Sequence, residues 1–466
     1  MDETAGMPTA RTIEDRDPST GQLLAEIPCA SAEEVVAAVA RARAAAPAWA
    51  DLPVDDRCAC LERASERLLA AAPELGRLAS QEMGKPLATA VGEVEGYARY
   101  LHEELAEVKL AVAPTPFESE AADVVLHREP LGVVAAITPW NFPVAMPLQI
   151  LVPALATGNA VVLKPSEHVP LTGRMLAEVL QAELPDGVLE LVEGDGATGA
   201  DLVAADIDMV GFVGSRATGE AIMRSAATGL KRLVLELGGK DPMLVFADAD
   251  LPAAARAAVQ HSLRNTGQVC CSVERVLVED AARETFEQLV LEEARQWTFG
   301  DPAAEGTRMG PLVSTAQRER VVAQVEDARV RGARILLGGE LPEGDGAYYP
   351  ATVVADAPED AAMVREETFG PVVCLETFPT EAEGVRRAND TPYGLGANVW
   401  TGDADRARRV ARALRAGQVG VNRYLGGAQG TPWVGARQSG FGYLGGIEGH
   451  RQFTVPKTIA TARPGA

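Results

Sequence analysis

The stretch from Leu131 to Glu167, LGVVAAITPWNFPVAMPLQILVPALATGNAVVLKPSE, decides the fold class of this chain. Two short apolar runs rich in β-branched residues, Val133 to Thr138 and Ala160 to Leu163, flank a helical stretch. Such runs are typical of strands that are buried on both faces, as in parallel sheets covered by helices. The stretch therefore predicts a strand, a helix and a second, parallel strand.

The same alternation extends along most of the chain, and a second block of it runs from about Gly238 to Asn422. Further candidate strands are Val188 to Val192, Met209 to Val213, Arg232 to Leu235, Arg275 to Val278 and Val372 to Leu375. Alternating strands and helices predict an α/β protein with a doubly wound parallel sheet.

Helices and a small amount of sheet are predicted outside this alternation. Ser31-Ala32-Glu33-Glu34 is a capping box, which marks the start of a helix. We expect this helix to run to about Ala46, and further helices at Arg57 to Ala72 and at Lys85 to Leu110. We also expect strands joined by a turn within Asp123 to Ala136 and a closing strand at His450 to Thr461.

The composition is that of a globular protein, with 47% apolar and 23% charged residues. Its 466 residues favour two to four domains, at roughly 100–200 residues each. The formal net charge of −23 makes nucleic acid and membrane surfaces unfavourable partners. An acidic surface can nevertheless contain a locally basic pocket for an anionic cofactor.

The cysteines give no sign of a metal centre or a secretory context. Their spacing matches no zinc finger or ribbon, and only five histidines are present. Met1 to Arg16 lacks the apolar core of a signal sequence, and no apolar run approaches the roughly 18 residues needed to span a bilayer. We therefore expect no metal, no membrane insertion and a cytoplasmic location. The cysteines are Cys29, Cys58, Cys60, Cys270, Cys271 and Cys374.

Two short segments contain side chains suited to nucleophilic and general-base chemistry. Asn265 to Cys271 places a cysteine in a small, glycine-containing loop before a strand, where a thiolate can be stabilised. The alternative is an inert buried thiol. Val234 to Lys240 places Glu236 at an apolar strand end, where burial raises the pKa of a carboxyl group. The alternative is an ion pair between Glu236 and Lys240.

Three further segments follow predicted strands. Asn141, fixed between two prolines in Thr138 to Pro143, is placed to donate to an oxyanion, or else belongs to a simple turn. Gly211 to Gly219 is a strand, a glycine-rich turn and a helix start, which can receive a pyrophosphate. Lys164 and Glu167 follow another strand end, where open α/β sheets bind ligands, although a solvated charge pair is the simpler interpretation.

Taken in this order, these segments resemble the aldehyde dehydrogenase superfamily from about Asp17 to Lys457. The resemblance implies that Cys270, rather than Cys271, is the nucleophile, that Glu236 is the general base and that Asn141 is the oxyanion donor. It implies a cofactor site formed by Trp140, Lys164, Glu167, Gly194, Gly214, Ser215, Gly219, Glu367 and Phe369. It implies substrate-pocket walls formed by Phe142, Gln149, Arg264, Val269, Tyr424 and Trp433.

The resemblance also implies a division of the chain into three parts. A Rossmann-type cofactor domain would comprise residues 1–112 and 131–237, and an α/β catalytic domain residues 238–440. Residues 113–130 and 441–466 would form a small β oligomerisation arm, which implies a homodimer or homotetramer.

The implied reaction is oxidation of an aldehyde to an acid through a Cys270 thiohemiacetal and thioester. Glu236 favours a hydrolytic enzyme, because relatives that transfer the acyl group to coenzyme A usually lack this residue. Glu167 favours NAD over NADP, because a carboxylate accepts a hydrogen bond from a ribose hydroxyl but repels a 2′-phosphate. NADP stays open as an alternative cofactor.

Arg264 bears on the substrate. It matches an arginine that holds the substrate carboxylate in succinate-semialdehyde dehydrogenases, but Gln149 stands where those enzymes have a second arginine. We therefore expect a small polar aldehyde or a semialdehyde, with a structural ion pair of Arg264 as the alternative. Broad specificity in a biosynthetic or detoxification pathway, and a non-catalytic binding protein on the same fold, also stay open.

Overall fold

Two mainly parallel sheets form the framework of the computed structural model, which describes residues 11–463. The strands are β1 (Thr12–Arg16), β2 (Leu23–Pro28), β3 (Thr115–Phe117), β4 (Ala122–Pro130), β5 (Val133–Ile137), β6 (Ala160–Lys164), β7 (Leu189–Leu191), β8 (Met209–Val213), β9 (Arg232–Glu236), β10 (Asp241–Val245), β11 (Val273–Glu279), β12 (Arg334–Leu337), β13 (Thr352–Ala355), β14 (Val372–Phe378), β15 (Gly396–Trp400), β16 (Gln418–Val421), β17 (Gly440–Phe441) and β18 (Thr454–Ala462).

Helices cover both faces of these sheets. They are α1 (Ala32–Ala50), α2 (Val54–Met83), α3 (Leu87–Val112), α4 (Ala145–Ala156), α5 (Pro170–Gln181), α6 (Gly196–Ala204), α7 (Arg216–Ala226), α8 (Leu251–Leu263), α9 (Arg283–Ala294), α10 (Thr315–Val330), α11 (Ala362–Arg365), α12 (Glu381–Asn389), α13 (Ala404–Ala413) and α14 (Gly446–Arg451). No helix within residues 11–463 is long and apolar enough to cross a membrane.

The predicted capping box is confirmed at the start of α1. The Ser31 hydroxyl accepts the Glu34 N–H at 3.2 Å, and the Glu34 carboxylate accepts the Ser31 N–H at 2.7 Å. Part of the segment inspected for a signal sequence, residues 1–10, lies outside the described residues.

The first sheet has the strand order β17-β9-β8-β5-β6-β7, with parallel pairing throughout except for β17. The chain runs outward from β5 to β7, then crosses to β8 and runs outward in the opposite direction. Strand order therefore reverses between β5 and β8, and ligands of open α/β sheets bind at such a reversal. All residues of β5, β6 and β8 are buried, which confirms their prediction from continuous apolar runs.

The second sheet has the order β12-β13-β14-β11-β10-β15-β16 and is parallel except for the β12–β13 pair. Residues 237–240 link β9 of the first sheet to β10 of the second. This link brings the carboxyl end of β9 beside the loop that precedes β11, so that Glu236 and Cys270 line the same cavities.

A third sheet, β18-β4-β3, joins the two segments predicted to form an arm. The closing strand begins at Thr454 rather than His450, so the predicted start is wrong by four residues. His450 instead lies in α14, where its buried ring is 3.4 Å from Glu107 of α3. Packing between these helices overrides the strand pattern. The domain boundaries stay a prediction.

A buried pair of carboxyl groups, Asp15 and Glu82, connects β1 to the start of α5. Glu82 accepts the N–H groups of Leu171 and Thr172 at 2.6 and 2.8 Å. Burial raises the pKa of Glu82 from 4.5 to about 8, and burial raises the pKa of Asp15 from 3.8 to about 6. The folded state therefore holds protons that the unfolded chain loses above about pH 4.5.

We expect the free energy of unfolding to fall as the pH rises from 5 to 9, because the unfolded state binds fewer protons in this interval. Thermal unfolding between these pH values measures the slope. Glu82→Gln keeps a neutral side chain and should flatten the slope, whereas Glu66→Gln, at an exposed position of α2, should leave it unchanged. Equal slopes in all three proteins would contradict the assignment.

Candidate active site

The two loops that flank the strand reversal enclose the candidate site. Thr138 to Pro143 follows β5, and Gly214-Ser215 follows β8. A cavity of about 620 Å³ between them contacts Trp140, Asn141, Ser215 and Phe369, and a second cavity of about 700 Å³ opens beside it. Both cavities are lined by Cys270 and Glu236. The predicted nucleophile and general base thus lie where the two cavities meet.

The loop from Asn265 to Cys271, which is predicted to contain the nucleophile and is called the nucleophile loop below, has an unusual backbone. Asn265 and Thr266 have φ values of +55° and +57°, in the left-handed region, which is particularly unfavourable for a β-branched residue. The Asn265 amide donates to the backbone oxygens of Asn141 and Gln268 at 3.0 and 3.1 Å, and the Thr266 hydroxyl donates to Gly310 at 3.1 Å. These contacts hold a strained segment that ends four residues before Cys270, and such strain is common at functional sites.

Cys270 is half-buried and lines both cavities, so its thiol is accessible from them, and its role as nucleophile stays a prediction. Cys271 is buried and lines only the larger cavity. A hydrogen bond to Cys271, followed by burial, raises the pKa of the Cys270 thiol well above its usual value. The same hydrogen bond lowers the pKa of Cys271 to about 7.

Glu236 ends β9 and is 5% exposed. Neither of its carboxylate oxygens has a hydrogen-bond partner among the described residues. Burial raises the pKa of Glu236 well above 4.5, and negative charge on Cys271 raises it further. The nearby Trp433 indole lowers this pKa to a smaller extent, although it lies outside hydrogen-bonding geometry. The proposed ion pair with Lys240 does not form, because Lys240 donates to Glu274 at 2.7 Å.

Asn141 is buried beside the nucleophile loop. Its side-chain amide donates to the Gln268 backbone oxygen at 3.0 Å, and its second N–H has no acceptor within residues 11–463, so it can donate to a ligand. Glu93 of α3 fixes this loop by accepting the N–H groups of Val144 and Ala145 at 3.0 and 2.9 Å. The segment is a turn, as the simpler interpretation held, but its asparagine is held in the wall of the site.

A third cavity, of about 450 Å³, continues the first toward β6. It is lined by Lys164, Glu167 and the start of α7, where Ser215 is the N-cap. Lys164 is 3% exposed and donates to the Pro165 oxygen at 3.0 Å instead of pairing with Glu167. The two residues are therefore not a solvated charge pair. Burial lowers the pKa of Lys164.

Glu367 and Phe369 line the opposite side of the first cavity. Glu367 accepts the Gly239 N–H at 3.1 Å, and shielding of its carboxylate from solvent raises its pKa to about 8. The Phe369 ring meets Trp140 edge to face, with 5.4 Å between ring centroids. Glu367 and Phe369 therefore both border the part of the first cavity that lies between Cys270 and α7.

Two predicted cofactor glycines are placed differently. The Gly219 N–H donates to the Ser215 oxygen inside α7, and a Cβ at Gly219 would lie 2.7 Å from Leu237. Gly219 therefore permits close helix packing, and its amide is not available to a pyrophosphate. Gly194 lines neither the first nor the third cavity, whereas Gly196 and Gly199 of α6 line the third.

The larger cavity contains most of the predicted substrate wall, namely Phe142, Gln149, Arg264, Val269 and Trp433. Arg264 forms no hydrogen bond or ion pair with any residue in the range 11–463, so the structural ion pair is not found there. Gln149 is surrounded by a mainly apolar wall that includes Leu444 and Tyr97. The pocket is therefore less polar than Gln149 alone indicated.

The prediction for Tyr424 is wrong, because this residue lies behind the nucleophile loop and does not line the cavity. Its ring stacks on His261 with 3.6 Å between centroids, and its hydroxyl donates to the Cys271 oxygen at 2.6 Å. The sequence places Tyr424 near the site but does not show on which side of the loop it packs.

Sequence reasoning missed one wall of the larger cavity. Thr89, Gly92, Gly96 and Tyr100 project from one face of α3 into it. Their spacing of three and four residues is the helical signal that could have found them. Sequence reasoning also missed Arg320 of α10, which lines the first and the third cavity.

The fold is an α/β framework with a partly exposed cysteine, Cys270, in the wall of a cleft at the reversal of strand order. The family model "Aldehyde dehydrogenase family" matches residues 6–459. The chain belongs to the aldehyde dehydrogenase family of oxidoreductases.

Individual relatives agree with this assignment. The chain is 39% identical to a mitochondrial succinate-semialdehyde dehydrogenase of Arabidopsis thaliana, covering 96% of this chain and 86% of that protein. Lactaldehyde dehydrogenase from Escherichia coli superposes with a TM-score of 0.93 at 34% identity, covering 97% and 95% of the two chains. An indole-3-acetaldehyde dehydrogenase in complex with NAD+ superposes with a TM-score of 0.93 at 38% identity, covering 97% and 93%.

Proposed function

We propose that the protein oxidises an aldehyde to a carboxylic acid with NAD as the electron acceptor, through a covalent intermediate on Cys270. The observation that carries this proposal is the position of Cys270 and Glu236 at the junction of two cavities. One cavity leads to the start of α7, and the other leads to Arg264. A nucleophile at this junction can hold a substrate between an anion-binding helix end and a separate pocket.

The residues support a consistent sequence of steps. The Cys270 thiolate attacks the aldehyde carbon, and the free N–H of Asn141 stabilises the oxyanion together with a backbone amide. NAD, held by the residues that line the cavities beside Ser215 and Lys164, would supply the hydride acceptor for conversion of the Cys270 thiohemiacetal to the thioester. Glu236, in its ionised form, then takes a proton from the water that attacks the thioester. Cys270 leaves as the thiolate and the acid is released.

The cofactor cavities suit a dinucleotide. The N-terminus of α7, with Ser215 as its N-cap, offers N–H groups to a pyrophosphate. Glu167 lies in the cavity that Lys164 closes, and a carboxylate there favours an unmodified ribose over a 2′-phosphate. We therefore propose NAD as the preferred cofactor, with NADP as the alternative.

We propose a semialdehyde, or another aldehyde with a distal carboxylate, as the substrate. Arg264 supports this choice, because it is an unpaired cation in the cavity that contains Cys270. The similarity to a succinate-semialdehyde dehydrogenase supports it independently. With Gln149 opposite, a carboxylate would meet one cation and one amide.

Arg264→Gln is expected to raise KM for carboxylated aldehydes by roughly 10- to 100-fold, because a charge-assisted hydrogen bond contributes about 1.5–3 kcal/mol. KM for neutral aldehydes should change little. Arg256→Gln, at an exposed position of α8 outside the cavity, is the matched control. A parallel loss with charged and neutral substrates would count against carboxylate recognition.

A second candidate is oxidation of bulkier neutral aldehydes. Gly92 and Gly96 support it, because a Cβ at either position would meet nothing within 4 Å, so the cavity has open space along this face of α3. The similarity to an indole-3-acetaldehyde dehydrogenase also supports it. Either substrate class is compatible with the chemistry at Cys270.

The first experiment measures reduced cofactor produced from a panel of aldehydes with NAD and NADP in parallel. The panel contains succinic semialdehyde and short aliphatic, hydroxylated and aromatic aldehydes. Highest kcat/KM with succinic semialdehyde supports carboxylate recognition, and highest kcat/KM with aromatic aldehydes supports the second candidate. Cofactor binding without any turnover would favour a non-catalytic role for this fold.

The assembly and the location also stay proposals. The β18-β4-β3 sheet matches the predicted oligomerisation arm, which supports a homodimer or homotetramer. A cytoplasmic location is the expectation from sequence, whereas the relative from Arabidopsis thaliana is mitochondrial. Light scattering of the purified protein distinguishes the two assemblies.

A further inference from the structure

We propose that Glu274 is a positioning residue for the cofactor: paired with Lys240, its carboxylate holds the segment from Glu367 to Phe369 against the first cavity and so fixes the nicotinamide end of NAD. The inference rests on the proposed function and deepens it, because it names the groups that shape the reactive end of the cofactor site. Neither Glu274 nor Lys240 lines any of the three cavities, so they act through this segment and not by touching a ligand.

The Glu274 carboxylate holds two consecutive backbone N–H groups of this segment. One oxygen accepts the Phe369 N–H at 3.1 Å, and the other accepts the Thr368 N–H at 3.1 Å. The second oxygen also accepts the Lys240 ammonium at 2.7 Å, and Lys240 donates in addition to the Thr368 hydroxyl at 3.0 Å. Hydrogen bonds to a charged acceptor are roughly twice as strong as neutral ones. The pair is therefore a specific anchor for Thr368 and Phe369.

The segment needs such an anchor because its backbone is strained. Phe369 has a φ of +50°, in the left-handed region that side chains with a Cβ rarely adopt. Helix α10 holds the same segment from its carbonyl side, where Gln317 donates to the Phe369 oxygen at 3.0 Å and Gln324 donates to the Glu367 oxygen at 3.3 Å. A strained conformation persists only where the surrounding contacts determine it. Removing the contacts to the N–H groups should therefore release the segment.

The pair is enclosed, and its two charges both act on Glu367. The side chains of Lys240 and Glu274 are 0% and 5% exposed. Burial and then the charge of Glu274 raise the pKa of Glu367, whereas the charge of Lys240 lowers it. Lys240 thus offsets the repulsion between the two carboxylates, and Glu367 accepts the Gly239 N–H at 3.1 Å.

The same pair joins the segment to the predicted nucleophile and the predicted general base. Glu274 follows Cys270 by four residues, near the start of β11, and Lys240 follows Glu236 by four residues, directly before β10. The pair therefore fixes the segment relative to both groups.

The position of the segment identifies the part of the cofactor that it meets. It borders the first cavity between Cys270 and α7, and the hydride released from a Cys270 thiohemiacetal must be accepted there. The nicotinamide ring is the hydride acceptor of NAD, so the segment adjoins the nicotinamide end. The third cavity, with Lys164 and Glu167, is left for the adenosine end. Loss of the pair should therefore weaken binding at one end only.

Calorimetric titration with NAD and with ADP, which lacks the nicotinamide end, tests the inference without an aldehyde. Glu274→Gln should raise Kd for NAD by roughly tenfold or more and leave Kd for ADP unchanged, because charge-assisted hydrogen bonds are lost at one end only. Hydrogen exchange followed by mass spectrometry should become faster at the Thr368 and Phe369 amides. Since Glu274→Gln leaves Lys240 buried without a counter-charge, the double variant Lys240→Met with Glu274→Gln removes both charges and should show the same pattern.

Glu82→Gln is the matched control, because Glu82 is also a buried carboxyl group that accepts two backbone N–H groups, but it lies outside all three cavities. It should keep the wild-type Kd for both ligands and the wild-type exchange at Thr368 and Phe369. A wild-type Kd for NAD in both Glu274 variants, equal weakening of NAD and ADP, or unchanged exchange would overturn the inference. A wild type that binds NAD but oxidises no aldehyde would refute the proposed function and leave the positioning role standing.

Discussion

Glu236→Gln is expected to form reduced cofactor once per active site and then nearly stop. The thioester forms because Cys270, Asn141 and the cofactor cavities are unchanged, but no carboxylate remains to activate water. Loss of a general base costs roughly 10²- to 10⁴-fold. Rapid-mixing absorbance measurements should show a burst of one equivalent followed by a steady rate reduced by about this factor, and mass spectrometry should find the acyl group on Cys270.

The pH dependence gives a second measure of the same role. Burial raises the pKa of Glu236, and only its ionised form is a base, so wild-type hydrolysis should become faster as the pH rises through that raised pKa. This increase should be absent in Glu236→Gln. Glu220→Gln, which removes a carboxylate from a surface ion pair on α7, should behave as the wild type.

Hydroxylamine separates the possible failures. As an external nucleophile it should release the trapped acyl group from Glu236→Gln as a hydroxamate and restore turnover. A variant with no burst at all would mean that Glu236 is needed before the thioester forms, as a base for the Cys270 thiol.

The sequence predicted the parts of the site that depend on short, local segments. Cys270, Glu236 and Asn141 each lie at a strand end or in the loop beside one, so identifying the strands also placed these residues at one edge of the framework. Cys270 and Glu236 meet at the two cavities because residues 237–240 join the end of β9 to the second sheet, which contains the loop before β11, and the strand reversal places Asn141 in the wall of the first cavity. The roles of these residues stay predictions until they are measured.

Other features depend on contacts between distant segments, which local patterns do not encode. The sequence allowed an ion pair between Lys240 and Glu236, and only the folded chain shows that Lys240 contacts Glu274 instead. Tyr424 was placed in the pocket, but packing on His261 turns it toward Cys271. Gly219 has the residue type of a phosphate-binding turn, but its N–H is used inside α7. Side-chain direction and amide availability had to come from the structure.

Cys270→Ala is expected to abolish production of reduced cofactor, by more than about 10⁴-fold, because loss of a nucleophile removes the covalent route altogether. Cys271 cannot substitute, since it lines only the larger cavity, whereas Cys270 lines both. An aldehyde bound to Cys271 would hold its carbon away from the cofactor cleft. Trp140 lines that cleft, so quenching of its fluorescence on titration with NAD should be retained.

Cys60→Ala is the matched control, because Cys60 is a partly buried thiol on α2 outside all three cavities, and it should keep wild-type activity. If Cys270→Ala kept activity above about 1% of the wild type, its sensitivity to iodoacetamide would decide the interpretation, and one outcome is that alkylation abolishes it. That result would make Cys271 a second nucleophile and would remove the geometric argument for a single one. Residual activity that resists alkylation would instead require a route without any thiol, and the covalent mechanism would have to be abandoned.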